Sequence, residues 1–211
     1  MNMNRLIVSV VLLASLGGIA CLFWSQELKY ALPTPVPANF HARAVAETID
    51  LRELTRFDKS RPVFLHFFNP DCPCSRFNIK HFKSLVAEYG DQVQVYAVIP
   101  AYADLDRARN MIELSQVTIL QDQADSLAAA CGVYSTPQAV VIDAHQKLFY
   151  RGNYNKLRYC TTKESNYAEI ALQALVTGAA PPQFNALATQ SYGCELPKDS
   201  TAHNFLINLF Q

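Results

Sequence analysis

The stretch that decides the fold reads Val63-Phe64-Leu65-His66-Phe67-Phe68-Asn69-Pro70-Asp71-Cys72-Pro73-Cys74. A near-continuous apolar run, residues 63–68, predicts a strand buried on both faces, because a half-exposed strand would alternate apolar and polar side chains. Asn69-Pro70-Asp71 ends that run as a turn. Pro73 suits the first turn of a helix, where its missing N–H costs nothing and its fixed φ is already helical. The helix is expected over residues 73–89, with Phe77, Phe82, Leu85, Val86 and Tyr89 on its apolar face and Gly90 stopping it. Cys72 and Cys74 therefore stand where a buried strand turns into a helix. A thiolate at that place is stabilised by the helix dipole and by free N–H groups, which lowers its pKa and makes it reactive. A second thiol two positions on offers a partner for a small disulfide ring.

Working outward, a strand is expected at 93–99 and a helix at 104–114, opened by Asp104 and Asp106 where the dipole favours negative charge. A short strand at 117–120 and a short helix at 125–131 follow. Two strands, 138–142 and 147–150, are joined by the turn Asp143-Ala144-His145-Gln146, and a last helix spans 163–176. The order β-α-β-α-β-α-β-β-α predicts an α/β fold, a central mixed sheet with helices on both faces. Upstream, Val45, Ile49, Leu51, Leu54 and Phe57 give a helical rhythm over residues 40–57, and Pro33, Pro35 and Pro37 form a stiff spacer. The domain plan is an anchor or signal peptide at 1–25, a proline-containing linker and N-terminal helix at 26–60, the main domain at 61–177 and a C-terminal extension at 178–211.

Half of the 211 residues are apolar, 17% are charged and the net charge is zero. This balance suits a globular core, and the lack of a basic run excludes a nucleic-acid partner. Leu6 to Trp24 is 19 residues without a charge, preceded by Arg5. It is long enough to cross a hydrocarbon core, and the preceding positive charge favours a cytoplasmic start. A cleaved signal peptide and a lipoprotein anchor at Cys21 are the rival readings. All three put the domain on the periplasmic side of an inner membrane, where disulfides persist.

The segments Phe67-Phe68-Asn69-Pro70-Asp71-Cys72-Pro73-Cys74 and Tyr134-Ser135-Thr136-Pro137 together resemble the thioredoxin superfamily, closest to its membrane-tethered, redoxin-like bacterial members. The likeness covers residues 61–176. It implies a thioredoxin fold, Cys72 as nucleophile and Pro137 as a cis-proline facing it, with Thr136 and Pro137 holding the substrate chain. The helix and strand at 104–120 resemble the αβ insertion of the redoxin and peroxiredoxin-like branch. One departure is plain. The usual spacing is Cys-x-x-Cys, whereas here Cys74 follows at the second position and Ser75 stands in the later one. His66 lies six residues before Cys72, where the resemblance implies a buried proton carrier. It serves either as that shuttle or as a packed strand residue.

The remaining cysteines and histidines carry separate expectations. Cys160 and Cys194 read most simply as a structural disulfide pinning the tail, closing a loop of about 33 residues and stabilising by roughly 3–4 kcal/mol. A relay with Cys72 or Cys74 is the alternative. Cys131 reads as a small buried thiol, and His81 as a surface histidine. The function expected is an exported, membrane-tethered thiol–disulfide oxidoreductase, with Cys74 resolving, no cofactor or resident metal, and thiols or disulfides as partners. Two rivals stay open. A thiol peroxidase lacks a clear Thr-x-x-Cys and its arginine, with Arg76 only a partial substitute. A copper-binding assembly factor would have His145 as its best distal ligand.

Overall fold

Strand β1, Val63–Phe67, is buried at every position because it runs through the middle of a five-stranded sheet. In this computed structural model, which describes residues 3–25, 32–54, 57–156 and 162–196, β2 (Gln94–Pro100) lies parallel on one side of β1. On the other side β5 (Gln138–Ile142) runs antiparallel. β3 (Val117–Asp122) extends the parallel edge, and β6 (Leu148–Gly152) extends the antiparallel one, giving the order β3-β2-β1-β5-β6. This is the expected thioredoxin fold with its mixed sheet, and the helix and strand after β2 are present as a unit.

Alternation along β1 sends successive side chains to two different cores. Phe64 and Phe68 face helices α2 (Pro73–Tyr89), α3 (Leu105–Ile112) and α5 (Tyr167–Val176), packing with Phe82, Leu85, Ile112 and Leu172. Val63, Leu65 and Phe67 face the other way, against Leu127 and Cys131 of α4 (Ser126–Cys131). Burying a ring such as Phe82 stabilises by about 2–3 kcal/mol, so α2 is held chiefly by its packing. The caps agree with the local chemistry. Asp104 accepts from the N–H groups of Asp106 and Arg107 at the start of α3. Asp122, itself buried, accepts from Leu127 and Ala128 at the start of α4.

One expected element is absent. Residues 40–54 form turns and extended backbone, with Thr48 bridged to Lys147 and Ile49 N–H donating to Gln146 O at 2.8 Å. Leu148 N–H donates to Glu47 O at 2.8 Å. Three of the segment's apolar residues do bury, Ile49, Leu51 and Leu54 joining the second core, while Val45 is exposed. Their spacing marked burial, and the free edge of the sheet near the β6 hairpin took up the backbone groups that a helix would have satisfied internally. Thr55 and Arg56 lie outside the described residues.

α1 (Met3–Phe23) is 21 residues long, with a mean hydropathy of 2.6 and none of it buried against the domain. It is long and apolar enough to cross a membrane. Near the other end of the chain are α6 (Ala186–Thr189) and β7 (Cys194–Glu195). β7 pairs with β4 (Ser135–Thr136) in a small ladder separate from the main sheet.

Candidate redox site

The turn between β1 and α2 is fixed by its own side chains. Asn69 Oδ1 accepts from Asp71 N–H at 2.9 Å, Cys72 N–H donates to Asn69 O at 3.0 Å, and Asn69 N–H donates to Ser75 Oγ at 3.1 Å. Ser75, fully buried, thus closes the turn from the position where the related motif has its second cysteine. Cys72 is the N-cap of α2, with extended backbone (φ −80°, ψ 122°) and Pro73 entering the helix behind it. It makes no side-chain cap bond, and the first-turn N–H groups of a helix have no partner within the helix.

The Thr136-Pro137 peptide bond is cis, as the resemblance implied. The Thr136 carbonyl oxygen lies 3.6 Å from Cys72 Sγ. Cys72 is bonded to Cys194, 122 residues further along the chain, with the two Cα atoms 6.1 Å apart. This corrects the expected pairing of Cys194 with Cys160. The reason is register: β7 pairs antiparallel with β4 so that Cys194 stands opposite Thr136, the residue already beside Cys72. Cys160 lies outside the described residues. Cys74 is buried, and Cys72 is not bonded to it. The structure thus joins Cys72, Thr136, Pro137 and Cys194, and the cross-chain bond runs to Cys194 instead of to Cys74.

The tail strand is gripped from both sides. Thr34 N–H donates to Ser191 O at 2.8 Å, and Pro33 bridges Tyr192. Buried Gln138 Nε2 donates to Ser191 Oγ at 2.7 Å, while Leu196 N–H donates to Tyr134 O at 2.8 Å. The preceding turn is tied to the sheet by Asn153 Nδ2, which donates to Leu187 O and Gln190 O. The proline spacer is therefore not a simple stalk. Its residues 33–34 pair with the tail strand that carries Cys194, and beyond them a cavity of about 310 Å³ opens between Pro35, Pro37, Tyr134 and Leu196.

His66 is completely buried, its ring stacked on Phe82 (4.1 Å between centroids) and Phe68 (5.0 Å). Its Nδ1 is 2.7 Å from Tyr154 Oη. Burial pushes its pKa down to about 3, so it is neutral at ordinary pH. His81, expected at the surface, is partly buried edge-on against Tyr154, and burial lowers its pKa as well. The helix turns this residue toward the same core that holds Phe82. Cys131 is fully buried, as expected, and burial pushes its thiol well up. His145 sits exposed in the hairpin turn. At the rim, exposed Arg107 pairs with Asp71, which joins α3 to the turn before Cys72.

A family model described as a domain of unknown function, DUF6436, matches residues 42–195, a span that holds both Cys72 and Cys194. No curated protein matches the chain. Among solved structures, an uncharacterized conserved protein from Geobacillus kaustophilus is 19% identical with a TM-score of 0.58, over 77% of this chain and 97% of that one. A hypothetical protein from Sinorhizobium meliloti is 21% identical with a TM-score of 0.56, over 67% of this chain and 82% of that one. These two likenesses establish the fold. A looser one, at 18% identity and a TM-score of 0.42 over 56% of this chain and 82% of that one, is to a secreted disulfide oxidoreductase of Mycobacterium tuberculosis. It is too distant to carry more.

Proposed function

This chain belongs to the DUF6436 family, whose description assigns no activity, and from its site we propose that it is an exported, membrane-tethered thiol–disulfide oxidoreductase with Cys72 as nucleophile. The observation that carries the reading is the Cys72–Cys194 disulfide at the start of α2, facing a cis-proline loop. A helix N-terminus favours the thiolate that such chemistry needs. In the reduced protein the Cys72 thiolate attacks one sulfur of a substrate disulfide. A Cys72–substrate bond forms, and the other substrate sulfur leaves as a thiolate.

Resolution then falls to Cys194, the thiol that the tail strand brings onto Cys72. It attacks Cys72 Sγ, the mixed disulfide breaks, and the second substrate sulfur leaves. Two protein thiols have become one disulfide, and one substrate disulfide has become two thiols. Run in reverse, the same two exchanges oxidise a dithiol. Thr136 and Pro137 hold the substrate backbone beside Cys72. We assign His66 no proton transfer, because it is neutral and its Nδ1 is engaged by Tyr154. α1 supplies the tether, with the domain on the periplasmic side of an inner membrane.

The test is to equilibrate the full chain, in detergent, across thiol–disulfide buffers and to map its disulfides by alkylation and mass spectrometry. Cys72–Cys194 is expected to open and close reversibly. Cys72→Ser is expected to abolish both the bond and all exchange with a disulfide substrate. Cys74→Ser is expected to keep the bond and most of the exchange. A bond that never opens, or thiols shielded by co-purified copper, would sink the proposal.

A further inference from the structure

The strand bonded to Cys72 has a defined sequence, Ser191-Tyr192-Gly193-Cys194-Glu195-Leu196, and its fit is selective at one position. Gly193 adopts φ +139°, a conformation that residues with a side chain rarely take. A Cβ placed there would collide with the Thr136 carbonyl, whose oxygen and carbon lie against the glycine. That carbonyl cannot retreat easily. Thr136 stands opposite Cys194 in the β4–β7 ladder, and its carbonyl oxygen is packed 3.6 Å from Cys72 Sγ. A chain that pairs with β4 and bonds to Cys72 in this register therefore requires glycine directly before its cysteine. Two positions after the cysteine, Leu196 is buried in the second core while its N–H donates to Tyr134 O. That position requires an apolar side chain.

On the oxidoreductase reading, on which this rests, we infer that the substrates are extended peptide segments with glycine immediately before the reactive cysteine and an apolar residue two places after it. The tail is an internal copy of that substrate. It occupies the groove, and a substrate strand enters by exchanging with it. A substrate thiolate attacks Cys72 Sγ, the Cys72–Cys194 bond breaks, and a Cys72–substrate bond forms. The electron pair leaves on Cys194 sulfur, which takes a proton from water, so no outside oxidant is consumed. The tail strand then leaves the β4 edge and the substrate strand pairs in its place.

The experiment uses the oxidised full chain in detergent and two reduced synthetic peptides, Ser-Tyr-Gly-Cys-Glu-Leu and Ser-Tyr-Ala-Cys-Glu-Leu. Mixed disulfide at Cys72 is followed by acid quenching and mass spectrometry. Each rate is divided by the same peptide's rate with cystamine, which has no groove. The glycine peptide is expected to react at least about tenfold faster, the scale of a strained backbone position. Equal normalised rates would overturn the inference. If dithiothreitol opens Cys72–Cys194 but neither peptide does, the inference falls and the oxidoreductase reading stands. If dithiothreitol cannot open it either, both fall. A second arm tests the tail itself. Gly193→Ala is expected to lower the ratio of bonded to open Cys72–Cys194 in a fixed thiol buffer by about tenfold. An unchanged ratio also overturns the inference.

Discussion

Two regions meet at Cys72, and they are built in opposite ways. The junction of β1, its turn and α2 is made from residues close in sequence, with Asn69, Cys72 and Ser75 bonding one another across three to six positions. The tail strand and the turn before it depend on partners far away, at 33–34, 134–138 and 151–153, and on one covalent bond. The place of Cys72 is a property of the local fold, whereas that of Cys194 is conditional on distant contacts. A redox site can use that asymmetry, since one thiol must stay positioned while the other comes and goes.

The largest effect should come from breaking the junction. Phe82→Ala removes the ring stacked on His66 and packed on Phe64, and is expected to cost about 3–5 kcal/mol. Urea unfolding followed by the aromatic signal would show it. The loss should be the same with Cys72–Cys194 closed or reduced, because the ring belongs to the junction alone. A loss confined to the oxidised form would show that the two regions are not separable.

Removing the latch is the next test. Cys194→Ser takes away a bond that closes a loop across 122 positions, and is expected to cost about 2–4 kcal/mol under oxidising conditions. In dithiothreitol the variant and the parent chain should unfold together. Hydrogen exchange should rise at residues 191–196 and stay unchanged in β1 and α2. Protection lost from α2 would mean that the tail supports the junction.

A smaller effect follows from His66. Unfolded, its imidazole takes up a proton near pH 6.5; folded, burial delays this until about pH 3. Between those values the unfolded chain binds more protons, so folding is favoured less as pH falls, and the full stability is present above about 6.5. Near pH 4.5 the loss from this residue is expected to be about 3 kcal/mol. His81 acts in the same direction. The pair His66→Phe and Tyr154→Phe, which leaves no hydroxyl stranded, should flatten most of this slope in acid unfolding curves. An unchanged slope would place the acid sensitivity elsewhere.

Much of the junction was legible because its signals are short-range. The apolar run, the Asn-Pro-Asp break and a proline at the first helical position each act within a few residues, and α2 falls where its pattern ended it. Cys131 was likewise readable, its alanine-rich surroundings announcing burial. The stretch at 40–54 shows the limit of periodicity. Ile49, Leu51 and Leu54 were recognisable as buried, but spacing alone does not say whether the backbone hydrogen bonds close inside a helix or onto a neighbouring sheet edge.

By itself the sequence determined the βα junction, the placement of Cys72 at a helix start and the long apolar helix at the N-terminus. Each follows from neighbours along the chain or from composition. Only the tertiary structure decided that Cys194 is the partner of Cys72, that residues 33–34 pair with the tail strand, and that Gly193 is required where it stands. Those outcomes depend on which strands meet and in what register. A register between segments separated by 58 residues, Thr136 and Cys194, is set by three-dimensional packing and leaves no periodic trace in the chain.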